Sequence, residues 1–462
     1  MTGKKLTKEE TIRLRNEFIG KSCPLFYKSN PLKIVEAKGQ YMYDEEGQEY
    51  LDCANNVCHV GHCHPKVVAA GVEQMEILNT NSRYLNDNIL HLSESLLKKF
   101  PPSLNRIYFT NSGSEANDLA MRLAKTYTGN QDIICLNAAY HGITEATMKV
   151  SPYKQLYSKP DHVHVAPNPD TYRGKFTRDE FESDKELSKL YALEIEKILN
   201  RLKECNRKIA CFIHESLQSC AGQIIMPKGY LESVYKQVRE HGGVCIADEV
   251  QVGFGRVGKY WWGFEMNDVV PDIVTLGKPM GNGHPISAVV TTREIADQFF
   301  EKADSFFSTF AGNPVSCRIA LAVLQTIEEE NLRENAIEVG HYFVNEVKKL
   351  KLKHSIIGDI RGAGLFAGIE LSKDRLTKKP ATEEAAFIVD SLRNRNIIMT
   401  IDGLDENVLK FKPPMCITKS NVDFLMSRLD SVLLECRFSK NTVKRQLSTE
   451  CDENVPDKKQ KA

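Results

Sequence analysis

The chain has 462 residues and a formal net charge of +0, and 42% of its residues are hydrophobic and 26% charged. This balance is typical of a globular protein with more than one domain. It excludes a bulk charge that would attract nucleic acid or an anionic membrane. No apolar run approaches the ~20 residues of a membrane span. The first 20 residues mix Lys, Arg and Glu without an apolar centre, which argues against a signal peptide or a cleavable presequence.

The 13 cysteines are odd in number and mostly scattered, which indicates reduced thiols and an intracellular location, either the cytosol or the mitochondrial matrix. Six Cys and His residues crowd into CANNVCHVGHCHP (53–65) and raise the question of a zinc site. The segment has no C-x-x-C pair, and no second cluster of Cys or His follows at the spacing typical of a zinc finger. We therefore expect a loop that enters a helix, and no metal site.

The predicted elements begin with a β-hairpin over 35–53, where period-two patterning surrounds a central Glu-Gly. A helical pattern follows at 65–78. Seven short apolar runs then alternate with helical patterns and are candidate strands: RIYFT (106–110), DIICL (132–136), VHVAP (163–167), IACFIHE (209–215), GVCIADEV (243–250), DIVTLGK (272–278) and SAVVTT (287–292).

Near-continuous apolar strands that alternate with helices predict an α/β fold, with a mostly parallel sheet covered on both faces. From about residue 317, long helices surround two strand-like segments, 358–371 and 408–416, which predicts a smaller α+β domain. The expected division is an N-terminal segment of the small domain (1–60), a large domain (61–320), a C-terminal small domain (321–438) and a disordered tail (439–462), because that tail is polar and charged.

Polar features follow the predicted strands, at the sheet edge where open α/β sheets bind ligands. The segment 112–114 (Ser-Gly-Ser) opens a helical pattern, where free amides and the helix dipole favour a phosphate. The same residues also serve as ordinary helix caps. Tyr140 and His141 follow the strand DIICL, and an aromatic ring there either stacks on a planar ligand or is buried at a strand end.

Asp248 ends the strand GVCIAD, and Lys278 ends the next one, DIVTLGK. A carboxylate at the end of a buried strand needs a positive partner, and a protonated pyridine nitrogen is one such partner. A lysine in such a place is natural as a Schiff base or as an amine with a depressed pKa. A pyridoxal phosphate (PLP) enzyme requires this pair in this order, so the two residues predict catalysis with PLP.

Five motifs in this order resemble the class III, PLP-dependent aminotransferase family over about residues 25–435: TNSGSEANDLA, AYHG, IADEVQVGFGRVG, LGKPMGNGHP and STFAGNP. The resemblance implies a fold type I enzyme and a homodimer, or a tetramer, with shared active sites. It implies that Lys278 forms the Schiff base, Asp248 pairs with the pyridine nitrogen and Gln251 contacts the ring oxygen. The cofactor contacts that it implies are Gly113, Ser114, Tyr140, His141, Asp248, Gln251, Lys278 and, from the neighbouring subunit, Thr309.

Longer stretches, such as VHVAPNPDTYRGK and VLKFKPPMC, resemble the ethanolamine-phosphate and phosphohydroxylysine phospho-lyases, also labelled alanine–glyoxylate aminotransferase 2-like. This chain departs from the aminotransferase pattern at Ser216 in place of a proline and at Ile143 in place of a second histidine. Lys410 stands in place of an arginine that grips a carboxylate, and lysine offers only a point charge. The resemblance implies elimination of phosphate and ammonia from O-phosphoethanolamine or 5-phosphohydroxy-L-lysine, which yields an aldehyde.

The same residues would serve a class III transaminase, because fold and cofactor do not choose between the two reactions. Four Lys or Arg residues are candidates to bind the phosphate of a substrate: Arg83, Lys154, Lys410 and Lys412. Each could equally be a solvated surface residue, since Lys and Arg are usually exposed. Glu215 is a further candidate substrate contact.

Two other classes of protein remain as alternatives. Residues 253–258 (GFGRVG) spell G-x-G-x-x-G, the signature of an NAD-dependent oxidoreductase. No helical start follows these glycines, so we expect a turn whose match is coincidental. An inactive PLP-fold binding protein is disfavoured because Lys278 and Asp248 are both present.

Overall fold

The computed structural model describes residues 5–28, 30–153, 160–302 and 305–452, with the side chains of 437–452 excepted. The strands are β1 (Ile34–Lys38), β2 (Tyr41–Asp44), β3 (Glu49–Asp52), β4 (Arg106–Thr110), β5 (Asp132–Leu136), β6 (Val163–Ala166), β7 (Ile209–Glu215), β8 (Val244–Asp248), β9 (Ile273–Leu276), β10 (Ser287–Thr291), β11 (Ile357–Ala363), β12 (Phe366–Leu371), β13 (Ile397–Ile398), β14 (Thr400–Asp402) and β15 (Val408–Phe411). The α-helices are α1 (Lys8–Phe18), α2 (Pro65–Ile77), α3 (Asp87–Leu97), α4 (Gly113–Thr128), α5 (Glu145–Lys149), α6 (Asp184–Glu204), α7 (Tyr230–Glu240), α8 (Arg293–Lys302), α9 (Pro314–Glu329), α10 (Leu332–Lys353), α11 (Thr382–Arg393) and α12 (Lys419–Asp452). Short 3-10 helices lie at Gly263–Asn267 and Lys278–Gly281.

A seven-stranded sheet forms the centre of the described chain, in the order β4-β10-β9-β8-β7-β5-β6. The strand β10 runs antiparallel to both β4 and β9, whereas the other four adjacent pairs of this sheet are parallel, so the predicted α/β fold with a mostly parallel sheet is confirmed. Each of the seven predicted strands is present. The strands β8 and β9 end two residues before their predicted ends, because the chain leaves the sheet there to build the loops at its edge.

Both faces of this sheet are buried, as expected for parallel strands. Every residue of β5, β7, β8, β9 and β10 is buried. Ile133 and Ile213 pack on one face, in a cluster with side chains of α4. Ile134 and Phe212 pack on the other face, with side chains of α6 and α7.

Two smaller sheets complete the fold. The first has the order β1-β2-β3-β13, and the predicted hairpin is its antiparallel β2–β3 pair. The parallel pairing of β13 with β3 joins a C-terminal strand to the N-terminal sheet. The second has the order β11-β12-β15-β14 and packs against α10 and α11.

The last helix, α12, extends to Asp452, past the boundary at 439 expected for the tail, and residues 453–462 lie outside the described part. The domain boundaries and the disorder of the tail therefore stay predictions. None of the described helices combines the length and the apolar character that crossing a membrane requires.

The glycine-rich segment 253–258 forms consecutive turns and opens no α-helix, as predicted. Gly255 and Gly258 have φ of +75° and +81°, which disfavour residues with a side chain. A Cβ at Gly258 would also lie 2.4 Å from Cγ1 of Ile337 in α10. These glycines are explained by a tight turn packed on a helix, without a dinucleotide.

The histidines of the 53–65 loop have separate partners. His59 Nε2 lies 2.8 Å from the carbonyl oxygen of Phe254, and His64 Nε2 lies 3.0 Å from Glu330 Oε1. His62 Nε2 lies 2.7 Å from Asp52 Oδ2. Within the described ranges, no three His, Cys, Asp or Glu side chains are grouped so as to hold a metal ion.

Candidate active site

A cavity of about 270 Å³ lies beyond the carboxyl ends of β4, β5, β7, β8 and β9. The structure brings seven of the eight predicted cofactor contacts to this one place, although they come from distant parts of the sequence. They are Gly113, Ser114, Tyr140, His141, Asp248, Gln251 and Lys278. Glu215, predicted as a substrate contact, also lines the cavity.

Asp248 forms a buried anionic wall of the cavity and is only 4% exposed. Its Oδ2 accepts hydrogen bonds from Asn117 Nδ2 at 2.7 Å and from His141 Nδ1 at 2.8 Å. Its Oδ1 accepts one from the backbone N–H of Val250 at 3.0 Å. In the described chain no Lys or Arg forms an ion pair with Asp248, so a cationic ring nitrogen would supply the charge that this carboxylate lacks.

Asn117 is a positioning residue that the sequence reasoning missed. It is 1% exposed, and its amide donates to Asp248 and to the carbonyl oxygen of His141 while accepting from Thr275 Oγ1 at 2.7 Å. The amide therefore connects α4 to the ends of β5, β8 and β9. An Asn on the buried face of a helix, among small apolar residues, is the signal that would have identified it.

Lys278 is the first residue of the 3-10 helix that follows β9, and it faces the cavity. Burial lowers the pKa of its ammonium, and the nearby negative charge of Asp248 only partly opposes this effect. A lysine with a depressed pKa is more often neutral and hence nucleophilic. The arrangement suits covalent attachment of an aldehyde.

The N-terminus of α4 forms the other end of the cavity. Ser112 caps the helix, and its Oγ accepts the backbone N–H of Glu115 at 3.2 Å. The backbone N–H groups of Gly113 and Ser114 lie in the first turn of α4 and have no acceptor within the helix. They are therefore available to an anion. A Cβ at Gly113 would lie 2.8 Å from Val250 Cγ1, so only glycine fits beside the β8 loop.

Ser114 and Gly142 fit together at this anion seat. Ser114 Oγ accepts the N–H of Ile143 at 3.1 Å, which leaves its own O–H to donate to a ligand. Gly142 has φ of +133°, and a Cβ there would lie 2.4 Å from Ser114 Oγ. The loop after β5 can therefore close on α4 only with glycine at 142.

Glu215 lines the middle of the cavity at the end of β7. Its Oε1 accepts the N–H of Tyr140 at 3.1 Å, and its Oε2 accepts the N–H of Ser219 at 2.9 Å. Burial raises the pKa of Glu215, and the charge of Asp248 adds to this. The carboxyl thus holds the β5 and β7 loops together and keeps Tyr140 at the cavity wall.

Gln251 is oriented by three donors that converge on one oxygen. Its Oε1 accepts from Asn56 Nδ2 at 2.6 Å, Ser219 Oγ at 3.1 Å and Lys412 Nζ at 3.0 Å. The amide nitrogen makes a long contact of 4.0 Å to Cys220 Sγ, and its second N–H is left to donate to a ligand in the cavity. Asn56, Ser219 and Lys412 reach Gln251 only through the tertiary fold.

Lys412 is fully buried and has no carboxylate partner within the described residues. Its Nζ contacts Ser219 Oγ and lies 4.4 Å from the centre of the Phe366 ring. Burial lowers the pKa of Lys412 well below its usual range, and the neighbouring Lys410 acts in the same direction. Lys412 touches the back of Gln251 and does not line the cavity.

Three other predicted residues lie away from this cavity. Arg83 is exposed, with its guanidinium 3.8 Å above the Phe307 ring. Thr309, predicted to reach a neighbouring subunit, is exposed on the surface. Lys410 lines a second cavity of about 470 Å³, which meets the first at Val57. The fourth candidate cation, Lys154, lies outside the described residues.

These groups fit pyridoxal phosphate. Amides and a hydroxyl at a helix N-terminus suit its phosphate, a buried carboxylate suits its ring nitrogen, and a lysine suits its aldehyde. Together with the mostly parallel sheet, they define the fold type I class of PLP-dependent enzymes. The chain belongs to the aminotransferase class-III family, whose model matches residues 26–433.

Comparison with known proteins gives relatives of two descriptions within this PLP-dependent family. An alanine–glyoxylate aminotransferase 2-like protein of Drosophila melanogaster is 52% identical over 92% of this chain and 86% of its own length. An ethanolamine-phosphate phospho-lyase homologue of Caenorhabditis elegans is 43% identical over 92% of this chain and 94% of its own length. A phospholyase from Arthrobacter, solved with phosphoethanolamine, superposes with a TM-score of 0.88 at 36% identity, over 92% of this chain and 99% of its own.

Proposed function

We propose that this protein is a PLP-dependent phospho-lyase, which eliminates phosphate and ammonia from a phosphorylated amine and releases an aldehyde. The substrate is O-phosphoethanolamine or 5-phosphohydroxy-L-lysine. The observation that carries the proposal is the similarity, over almost the whole chain, to a phospholyase solved with phosphoethanolamine.

Lys410 supports this proposal as a seat for the substrate phosphate. It lines the 470 Å³ cavity beside the candidate active site, with its Nζ 3.4 Å from Asp402 Oδ2. Thr400 lines the same cavity, and its buried hydroxyl has no hydrogen-bond partner among the described residues. An ammonium point charge suits a phosphate better than it suits a planar carboxylate.

The residues of the chain have distinct roles in the proposed reaction. The cofactor, when bound, supplies an electron sink for the charge that develops at the substrate Cα. Asp248 holds a proton on the ring nitrogen and thereby strengthens this sink. Lys278, once the substrate amine has taken its place, removes the Cα proton as a general base, a role that its depressed pKa favours. Lys410 stabilises the phosphate as it leaves Cβ.

Release of inorganic phosphate from the two phosphoamines, measured side by side, tests the proposal. We expect phosphate, ammonia and an aldehyde in equal amounts from at least one compound, and none with Lys278→Ala. Lys410→Ala should raise KM for that compound more than the matched surface change Lys236→Ala. Failure of both compounds, with stoichiometric amino transfer from alanine to glyoxylate, would overturn the proposal.

That transaminase is the second candidate, because the 52% identical relative is described as alanine–glyoxylate aminotransferase 2-like. Both reactions begin with proton removal at Cα, and they differ in whether a group then leaves from Cβ. The assay above distinguishes them, since only the lyase releases inorganic phosphate.

We further propose that the enzyme is a homodimer in which Thr309 completes the phosphate seat of the neighbouring subunit. Thr309 is exposed, and the adjacent Phe310 is an exposed aromatic residue. Large apolar side chains on α2, α3 and the loop between them are also exposed, as expected of a face that another subunit covers; they include Val72, Met75, Ile77, Leu85 and Leu90.

A further inference from the structure

His284 lines the cofactor cavity, although the proposed elimination gives it no role. It lies in the segment that connects the 3-10 helix at Lys278–Gly281 to β10. The strand β10 pairs antiparallel with β4, and its first residue, Ser287, lies opposite Thr110, the last residue of β4. The chain that enters β10 therefore comes to the same edge of the sheet as residues 111–114, which leave β4 and open α4. Both segments line the cavity, so His284 lies at the end where α4 forms the anion seat.

The backbone that carries His284 is held in place by hydrogen bonds. Asn282 Oδ1 accepts the N–H of Val60 at 2.9 Å, and Asn282 Nδ2 donates to the carbonyl oxygen of Gly61 at 2.8 Å. The N–H of His284 itself donates to the carbonyl oxygen of Gly281 at 2.9 Å. The imidazole is therefore presented to the cavity from a backbone of defined position, as the binding of a ligand favours.

Hydrogen bonds at the start of α9 determine the tautomer of His284. Its Nε2 lies 2.8 Å from Oγ of Ser316, a residue that is only 2% exposed. Asn313 Oδ1 accepts the backbone N–H of Ser316 at 2.8 Å, and Asn313 Nδ2 donates to Ser316 Oγ, also at 2.8 Å. Within the described residues, the Ser316 hydroxyl has no acceptor other than His284 Nε2. The hydroxyl therefore donates to Nε2, and a neutral imidazole carries its proton on Nδ1.

Nδ1 is the atom of His284 that remains for a ligand. No other described residue forms a hydrogen bond with it, and the side chain is only partly buried, so a partner can reach it from the cavity. Burial lowers the pKa of His284, which keeps the imidazole neutral at pH 7. His284 therefore offers one N–H donor to the cavity, beside the amide donors of α4.

We propose that His284 is a further cofactor-binding residue, which donates its Nδ1–H to a phosphate oxygen of PLP. A phosphate has three strong acceptor oxygens. The N-terminus of α4 offers it the amides of Gly113 and Ser114 and one hydroxyl, which leaves acceptor sites for a donor from another element. The role of His284 does not depend on which reaction follows, because both candidate reactions use the same cofactor.

Pyridoxal, which lacks the phosphate, separates phosphate binding from any other role of His284. The full-length protein, freed of cofactor, is titrated with PLP and with pyridoxal, and the absorbance of the bound compound is followed. In His284→Gln the longer amide can still reach Ser316, but no donor stands at the position of Nδ1. We expect the Kd for PLP to rise about tenfold and that for pyridoxal to change less than about twofold. Equal rises for both compounds, or no rise for PLP, overturn the proposal.

His284→Asn tests which ring nitrogen is used, because the shorter amide can place its nitrogen where Nδ1 lies in the histidine. This variant should keep the Kd for PLP within about threefold of the wild-type value. His341→Gln, exposed on α10, is the matched control and should leave both Kd values unchanged. If His284→Asn binds PLP more weakly than His284→Gln does, Nε2 is the atom in use and the proposal is wrong.

A second phosphate, that of the phosphoamine substrate, enters this cavity in the proposed reaction, and kinetics distinguish the two sources. If His284 binds the cofactor, excess PLP should restore the phosphate release that His284→Gln loses at limiting PLP. A raised KM for the phosphoamine that excess PLP does not correct, with an unchanged Kd for PLP, would assign the contact to the substrate and overturn the proposal. The comparison of PLP with pyridoxal needs no turnover, so it decides even if neither phosphoamine is a substrate.

Discussion

Lys412 shows how a single buried residue can act on the candidate active site without lining it. Its Nζ is one of three donors to Gln251 Oε1, and these donors orient the amide so that an N–H of its nitrogen is left for the ligand. A buried amine without a carboxylate is costly to the folded state, so packing does not explain its presence. We attribute it to the orientation of Gln251.

Lys412→Met should separate these two effects. Loss of a hydrogen bond that orients Gln251 should weaken PLP binding by roughly tenfold, as expected for ~1–2 kcal/mol. The free energy of unfolding of the cofactor-free protein should not fall, because an apolar side chain replaces an unpaired amine. PLP titration and urea unfolding measure the two quantities. An unchanged Kd for PLP would show that Lys412 does not position Gln251.

At the scale of elements, the anion seat depends on how closely the β5 loop approaches α4. Gly142 brings the two together at a positive φ, with Ser114 occupying the space where a Cβ would be. The helix and the strand both have strong local sequence signals. Their contact depends on a residue whose only local signal is the absence of a side chain.

Gly142→Ala should destabilise the protein and weaken PLP binding, because strain at φ +133° adds to a clash with Ser114. We expect a loss of roughly 2–4 kcal/mol in the free energy of unfolding. Gly129→Ala is the matched control. Gly129 also has a positive φ, +70°, at the end of α4, but a Cβ there would meet no atom within 4 Å. Thermal unfolding and PLP titration of both variants measure the difference, and equal effects would contradict this account.

For the whole molecule, buried histidines shape the dependence of stability on pH. Burial lowers the pKa of His214 to about 4, whereas hydrogen bonds raise that of His62 to about 9. Between pH 4 and 6.5, His214 is protonated in the unfolded chain and neutral in the folded protein. Stability therefore rises with pH in that window. His62 has the opposite sign, and its contribution is lost as the pH rises from 6.5 through 9.

His214→Gln should make the free energy of unfolding less dependent on pH below 6.5. The free energy of unfolding of the wild type should fall by about 3 kcal/mol between pH 6.5 and 4 because of His214, as the shift in its pKa implies. The exposed His91 gives the control, and His91→Gln should keep the wild-type slope. Urea unfolding at a series of pH values measures the slope, and a parallel profile for His214→Gln would be inconsistent with a neutral buried imidazole.

The proposed dimer makes a prediction that only mixed subunits can test. Lys278→Ala and Thr309→Ala should each lower activity as homodimers. A dimer with one chain of each kind keeps one site intact if Thr309 acts across the interface, so we expect about half of the wild-type activity. Differently tagged chains allow the mixed dimer to be purified and assayed at limiting PLP. An inactive mixed dimer would show that Thr309 serves its own subunit.

The strands and the residues that end them could be predicted from the sequence because their signals are local. A continuous apolar run with an Asp or Lys at its carboxyl end identifies Asp248 and Lys278, whatever the order of the strands in the sheet. The antiparallel direction of β10 and the partners of these residues could not be predicted. Asn117 reaches Asp248 across 131 positions of sequence, and Lys412 reaches Gln251 across 161.

The sequence by itself determined the buried strands, the turn glycines and the charged groups at the strand ends, because each follows from local patterning and the cost of burial. Only the tertiary structure decided which of these groups meet. It turned Oε1 of Gln251 toward three donors, placed Lys410 in the second cavity and paired His62 with Asp52. Hydrogen bonds extend only about 3 Å, so such contacts depend on packing among segments that lie far apart in the chain.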